Sequence, residues 1–259
     1  MAAHVLAIKC FSLASGQTWR KIVWSDQMMT VIDPRLTDIN SNEIYHYLGI
    51  DGRYIRETEK KAITECIEDV KSVAKPLLVY KKAAVNDGCV DGLDLKGNDI
   101  RDLLKDCDGA IIFAATLGYD IDRLINILQI KDMAKAVIAD ACAGAAIENI
   151  CDNFEKDMRK ALEDEGCTLT ERFSPGYGDL PLNVQNDLTD FLDCQRRIGI
   201  IVADNCLMTP IKSVTAIMGI SPYAAKKDSC SDKDFRICIS CTNNKDCTFC
   251  KKIKSACDD

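Results

Sequence analysis

Histidine is nearly missing from this chain of 259 residues, with His4 and His46 the only two. Imidazole acid–base catalysis and histidine-rich metal centres are therefore close to excluded, and His46, inside an amphipathic stretch, reads as a packing or surface residue. No apolar run approaches the roughly 18 residues of a membrane-spanning helix. The N-terminus lacks the charged start, apolar run and small-residue cleavage pattern of a secretory leader. A formal net charge of −7 with no long basic run argues against nucleic acid. Also missing are a G-x-G-x-x-G turn, an internal repeat, a low-complexity segment and a nucleophile beside a base. These absences describe a cytoplasmic protein with neither a membrane nor a nucleic-acid partner.

What is present suffices for a continuous core, since 47% of the residues are hydrophobic. Fifteen cysteines would suggest disulfides in a small secreted domain. Here Cys66, Cys142, Cys151 and Cys206 lie singly within apolar segments and read as buried, reduced thiols acting as small hydrophobes. Periodicity and breakers divide the rest. Asn40 to Asp69 carries a capping-type start and one or two helices interrupted at Gly49 to Gly52, and Pro76 to Val85 reads as a strand. A short helix at Asp99 to Lys105 feeds the apolar strand Ala110 to Ala115, and Thr116 to Gly118 forms a strand-to-helix corner. A helix follows from about Ile121. Beyond a break near Lys131, a long helix runs from Ala134 to Glu163, with Gly166 as its stop. Further strands are expected at Thr168 to Phe173, Ile198 to Asp204 and Ser213 to Gly219, and a helix at Val184 to Leu192. This irregular alternation predicts an α+β fold with an antiparallel sheet flanked by helices.

The segment E-R-F-S-P-G-Y-G-D-L-P, Glu171 to Pro181, cannot be regular structure, because one proline and two glycines interrupt it at its centre. Arg172 offers a planar fork suited to a carboxylate, Gly176 and Gly178 permit close backbone approach to a ligand, and Tyr177 adds a flat face with a polar tip. The same residues also suit a tight turn with a surface ion pair. On the long helix, Asp140, Gly144 and Glu148 recur every fourth residue and form one slanted stripe beside Ala141 and Ala145. That stripe suits either a ligand-facing surface or a helix-packing groove with Glu148 in solvent; for Glu148 the solvated reading is adopted.

R-F-S-P-G-Y-G-D-L-P resembles the S-adenosylmethionine-binding loop of the reactivation domain of cobalamin-dependent methionine synthase, and above all its stand-alone bacterial relatives. Three more segments agree in chain order: E-I-Y-H-Y-L-G-I-D-G from Glu43, I-I-F-A-A-T-L-G-Y-D-I-D-R-L-I from Ile111 and M-T-P-I-K-S-V-T-A-I-M-G from Met208. Together they cover about residues 40–222. The resemblance implies a methionine synthase activation-like domain over residues 28–225. Residues 1–27 are then an N-terminal extension, either a misassigned start or an extra strand pair.

The resemblance further implies that Arg172 pairs with the carboxylate of bound S-adenosylmethionine and Asp140 with its ammonium, while Ser174, Gly176 and Tyr177 supply loop contacts. Asp179 would cap the helix after Pro181 or reach a ribose. The Met208 segment would line the same site as a strand. It departs from the fused synthase domain, where a tyrosine contributes near the position held here by Ala216, Ile217 and Met218. Lys212 could meet a phosphate or a corrin side chain, and otherwise reads as a solvated lysine.

By the same resemblance the protein positions reactants rather than attacking them itself, so it carries no catalytic side chain. Cob(II)alamin on a separate methionine synthase chain would take one electron from flavodoxin or ferredoxin and then receive the sulfonium methyl. Two alternatives stand beside this: a reductive activator or electron-transfer partner of another corrinoid methyltransferase, and a non-catalytic metal-containing scaffold for corrinoid proteins.

Residues 226–259 form a Cys-rich tail, with six cysteines in the last thirty residues. Cys238, Cys241, Cys247 and Cys250 give C-x2-C-x5-C-x2-C, two thiolate claws able to converge on one metal, flanked by Cys230 and Cys257. Four thiolates suit tetrahedral zinc or an iron–sulfur cluster, and spacing does not decide between them. A cluster could relay the low-potential electron that reactivation requires; a zinc knuckle would only order the tail.

Overall fold

The computed structural model describes residues 29–222, apart from 35, 37–38 and 51–54, together with the backbone of 7–12 and 18–23. The tail cysteines Cys238, Cys241, Cys247 and Cys250 lie outside the described residues.

The chain begins with an antiparallel pair, β1 (Ala7–Ser12) and β2 (Thr18–Val23), followed by β3 (Thr30–Ile32), α1 (Ser41–Tyr47) and α2 (Glu57–Val73). The Asn40 side chain caps α1 by accepting the Asn42 N–H at 3.0 Å. Then come β4 (Leu77–Asn86), β5 (Cys89–Val90), α3 (Asn98–Leu104), β6 (Gly109–Thr116), α4 (Tyr119–Lys131) and α5 (Met133–Glu163). The remainder is β7 (Thr168–Leu169), α6 (Val184–Phe191), α7 (Cys194–Ile198), β8 (Ile201–Val202), β9 (Met208–Thr209) and β10 (Ser213–Ser221).

The main sheet has the order β3-β4-β6-β10-β7, with β5 paired to β4, and each of these pairings is antiparallel. The period-2 alternation of side chains explains the layering. Along β6, Ile111, Phe113 and Ala115 enter the core shared with α1, α2, α4 and α5, while Ala110, Ile112 and Ala114 enter the core shared with α3, α6 and α7. Every residue of β6 is buried, so this central antiparallel strand is covered on both faces and reads as an unbroken apolar run. The observed class is the expected one, α+β with an antiparallel sheet flanked by helices.

Asp132 separates the two long helices. It has extended backbone (φ −157°), and its carboxylate accepts the Lys135 N–H at 3.1 Å, restarting the chain as α5. α5 packs its apolar face over the sheet, where Phe154 meets the rings of Phe113 and Tyr80 at 5.0 and 5.2 Å.

Two expected strands are shorter than their sequences suggest. Thr168 to Phe173 pairs regularly only at Thr168–Leu169, because the Thr170 hydroxyl accepts the Gly219 N–H at 2.8 Å in place of a backbone carbonyl; the chain regains β10 at one Phe173–Ile217 bridge. In Ile198 to Asp204 only Ile201–Val202 pairs, since Ile198 ends a helical turn stopped by left-handed Gly199. Cys66, Cys142 and Cys151 are buried free thiols as expected. Burial pushes Cys66 up to about 11 and Cys142 up to about 12, which keeps both unreactive. Cys206 is instead half-buried, in a turn with φ +64°.

Candidate functional site

An open cleft of about 500 Å³ lies along the N-terminal half of α5. Its floor is Ala136, Val137, Asp140, Ala141, Gly144, Ile147 and Glu148, small or polar residues that recur at helical spacing. Tyr47 and Leu48, from the end of α1, border it together with Ile125 and Gln129 of α4 and the turn Ile211 to Val214. The Tyr47 ring lies over Gly144, where an added Cβ would touch it at an ordinary contact distance of 3.4 Å.

The turn bearing Lys212 is held from several sides. The Ile211 N–H donates to Asp122 Oδ2 at 3.0 Å, the Leu117 N–H donates to the Lys212 carbonyl at 3.0 Å, and the Ser213 hydroxyl donates to the Pro210 carbonyl at 2.7 Å. Lys212 is not a solvated lysine. Its side chain is 15% exposed and its Nζ lies 2.9 Å from Asp140 Oδ1, whose side chain is 54% exposed. Burial raises the Asp122 carboxyl above its ordinary range, against the Ile211 hydrogen bond and the Lys212 charge, which lower it.

Farther along α5, Arg172 is enclosed by carboxylates. Its guanidinium lies 3.3 Å from Glu148, 3.1 Å from Glu155, and within hydrogen-bonding reach of Asp152. The side chain is only 22% exposed. Burial alone would lower the Arg172 pKa, but the Cys151 thiol and the three carboxylates outweigh it and raise it. Glu148 therefore does not stand alone in solvent: it pairs with Arg172 and also borders the cleft. The Tyr47 phenol registers the same negative field, pushed up to about 12 by burial and then by Glu148 and Glu43.

The loop after Arg172 satisfies most of its own polar groups. The Gly176 N–H donates to the Leu180 carbonyl at 2.9 Å and the Tyr177 N–H to the Ser174 carbonyl at 3.2 Å. Gly178 (φ +52°) is required twice over, since a Cβ there would also collide with the Asp99 carboxylate. Tyr177, at 63% exposure, presents its ring to solvent near Tyr47, whose titration it influences.

Asp179 does not cap the helix after Pro181. It caps α3, accepting the Asn98 N–H at 2.7 Å and the Asp99 N–H at 3.1 Å, while its own N–H donates to Asp99 at 3.1 Å. Those amides hold its carboxyl below the usual range. Ala216, Ile217 and Met218 are fully buried within β10; of the Met208 segment, Ile211 to Val214 reaches the cleft.

No family model and no curated protein matches this sequence. Among solved structures, the chain is similar to a crystal structure of the MetH reactivation domain bound to AdoHcy. It aligns with a TM-score of 0.57 and 13% identity over 76% of this chain and 80% of that one. At this identity the likeness establishes the fold.

Within that fold, Asp140 and Arg172 are not brought together. Asp140 meets Lys212, whereas Arg172 meets Glu148, Asp152 and Glu155. Eight residues of α5 separate Asp140 from Glu148, a rise of about 12 Å. Sequence reasoning missed Asp152 and Glu155 and set Glu148 aside. Their i, i+4 and i+7 spacing placed them on one face of the long helix, but nothing in the sequence pointed that face at Arg172. Among the described residues no group of three His, Cys, Asp or Glu side chains could hold a metal, and no helix is long and apolar enough to cross a membrane.

Proposed function

We propose that this chain binds S-adenosylmethionine between the Arg172 loop and the α5 cleft, and serves the reductive reactivation of a cobalamin-dependent methionine synthase carried on a separate chain. The observation that carries the reading is the double role of Glu148, which borders the cleft and pairs with Arg172 at 3.3 Å. An amino acid headgroup needs one cation and one anion side by side, and Arg172 with Glu148 offers both. This replaces Asp140 by Glu148 as the partner of the ligand ammonium. The likeness to a reactivation domain whose structure holds AdoHcy supports the same ligand class.

In this reading the ligand supplies a sulfonium methyl and the partner's reduced cobalamin accepts it. The chain's own part is to turn Arg172 from its helix carboxylates toward the ligand carboxylate, to let Glu148 take the ammonium, and to hold the methyl group toward the docked partner. Positioning of this kind is worth up to roughly 7–11 kcal/mol in well-oriented systems. The tail thiolates of Cys238, Cys241, Cys247 and Cys250 are proposed to hold zinc or an iron–sulfur cluster, the latter as an electron relay from flavodoxin or ferredoxin. Visible absorbance after anaerobic purification supports the cluster; colourless, zinc-containing protein ends that role.

One observation favours a second reading, an activator or scaffold for a corrinoid protein that transfers no methyl group: the Arg172 fork is already engaged by three carboxylates. Calorimetry with S-adenosylmethionine separates the two. Binding that weakens on Glu148→Gln supports the first, and absence of binding alongside retained association with a corrinoid protein supports the second. Anaerobic mixing with cobalamin-loaded synthase, reductant and S-adenosylmethionine should then form methylcobalamin, seen in the cobalt spectrum.

A further inference from the structure

The cleft continues well past the headgroup pair, and its far end has a chemistry of its own. At the level of Asp140 the floor is Val137 and Ala141, Ile125 and Val214 add apolar surface, and Lys212 supplies a cation. The Lys212 ammonium and the Asp140 carboxylate meet there at 2.9 Å, on backbone fixed by the Leu117 and Asp122 hydrogen bonds. An apolar patch of floor with one acceptor and one donor at its edge is what a nucleoside requires: the ring lies on the apolar floor, a carboxylate accepts from a ribose diol, and an ammonium donates to ring nitrogen or ribose oxygen. Asp140 and Glu148 are about 12 Å apart along the helix, and an α-amino acid carries its ammonium and carboxylate on one carbon. Asp140 therefore lies beyond the reach of an amino acid headgroup whose ammonium is held at Glu148. A nucleoside joined in extended form to an amino acid does span such a distance.

We infer that Asp140, assisted by Lys212, contacts the nucleoside end of the ligand, so that S-adenosylmethionine lies along α5 with its amino acid at Glu148 and Arg172 and its adenosine at Lys212. This rests on the function proposed above. Tyr47, seated on Gly144 between the two ends, then flanks the sulfonium, where an aromatic face favours positive charge.

The test uses the full chain, calorimetry, and two probes: S-adenosylmethionine, and 5′-methylthioadenosine, which has the nucleoside but no amino acid. Asp140→Asn should weaken both probes by the same factor, about tenfold, with only a small fall in melting temperature because the Asp140 side chain is half-exposed. Glu148→Gln should weaken S-adenosylmethionine alone. If Asp140→Asn spares 5′-methylthioadenosine, or if the wild type binds S-adenosylmethionine but not the fragment, the inference is overturned while the proposed function stands. Binding of neither probe by the wild type overturns both.

Discussion

The two halves of α5 handle charge differently. In the N-terminal half a floor of alanine, valine and glycine carries one acid, Asp140, which pairs with one lysine at the edge of an open cleft. In the C-terminal half Glu148, Asp152 and Glu155 converge on the single guanidinium of Arg172, and Arg159 adds a pair with Glu155 at 2.7 Å. A single pair whose acid stays half-exposed contributes little to stability, because water competes for that carboxylate. A partly buried many-to-one cluster leaves unpaired charge behind when its centre is removed. The first half is thus free to serve a ligand, whereas the second half serves the fold as well, so a ligand that uses Arg172 competes with the helix.

The largest expected effect follows from that contrast. Arg172→Ala should lower unfolding free energy in urea by about 2 kcal/mol, less than for a fully buried pair because Asp152 is half-exposed. The loss of the loop's only fork should also abolish measurable S-adenosylmethionine binding in the protein that remains folded. Unchanged stability would show that the three carboxylates are hydrated independently, and would erase the distinction between the halves.

Next in size is Gly144→Ala. The new methyl meets the Tyr47 ring at ordinary contact distance, so the helix should gain about 0.5–1 kcal/mol from reduced backbone freedom in the unfolded chain. A loss of stability in the same assay would mean that Tyr47 cannot yield even slightly, making the cleft rigid at its centre.

Lys212→Met should cost only about 0.5 kcal/mol, since its partner Asp140 stays hydrated. A cost approaching that of Arg172→Ala would move the N-terminal half into the structural class.

The smallest effect concerns Asp179 and acid. Its carboxyl is held low by the Asn98 and Asp99 amides, so its contribution is fully present above the unfolded-state pKa and is lost as pH falls through the lower folded-state value. Asp179→Asn should flatten the acid limb of a melting-temperature profile slightly and leave neutral pH nearly unchanged. An unaltered limb would show that the α3 cap does not contribute to acid sensitivity.

Much of the fold was legible because its signals are local. The apolar run at Ala110 to Ala115 could only be a doubly covered strand, and it is β6. Good helix formers from Ala134 to Glu163 gave α5, and the Asp132 break lay within a residue of its expected place. The shortening of the expected strands at Thr168 and Ile201 was not legible, because a side-chain hydroxyl and a helical turn replaced ladder hydrogen bonds, and neither alters apolar periodicity. The candidate site was legible in part. Arg172, Tyr177 and Asp140 stood out by residue type, but their ion-pair partners did not: Glu148, Asp152 and Glu155 for Arg172, and Lys212 for Asp140.

By itself the sequence determined the α+β class, the positions of the main helices and strands, and the loop that must carry two glycines in the left-handed region. These depend on side-chain period and backbone freedom, both written within a few residues. Only the tertiary structure decided which acid meets which base. Arg172 reaches Glu148, Asp152 and Glu155 because β7 and the loop after it lie against α5, and Lys212 reaches Asp140 because the turn before β10 is tied to α4 by Asp122. Charge pairing acts over a few ångströms between segments tens of residues apart, so packing of the elements had to fix it.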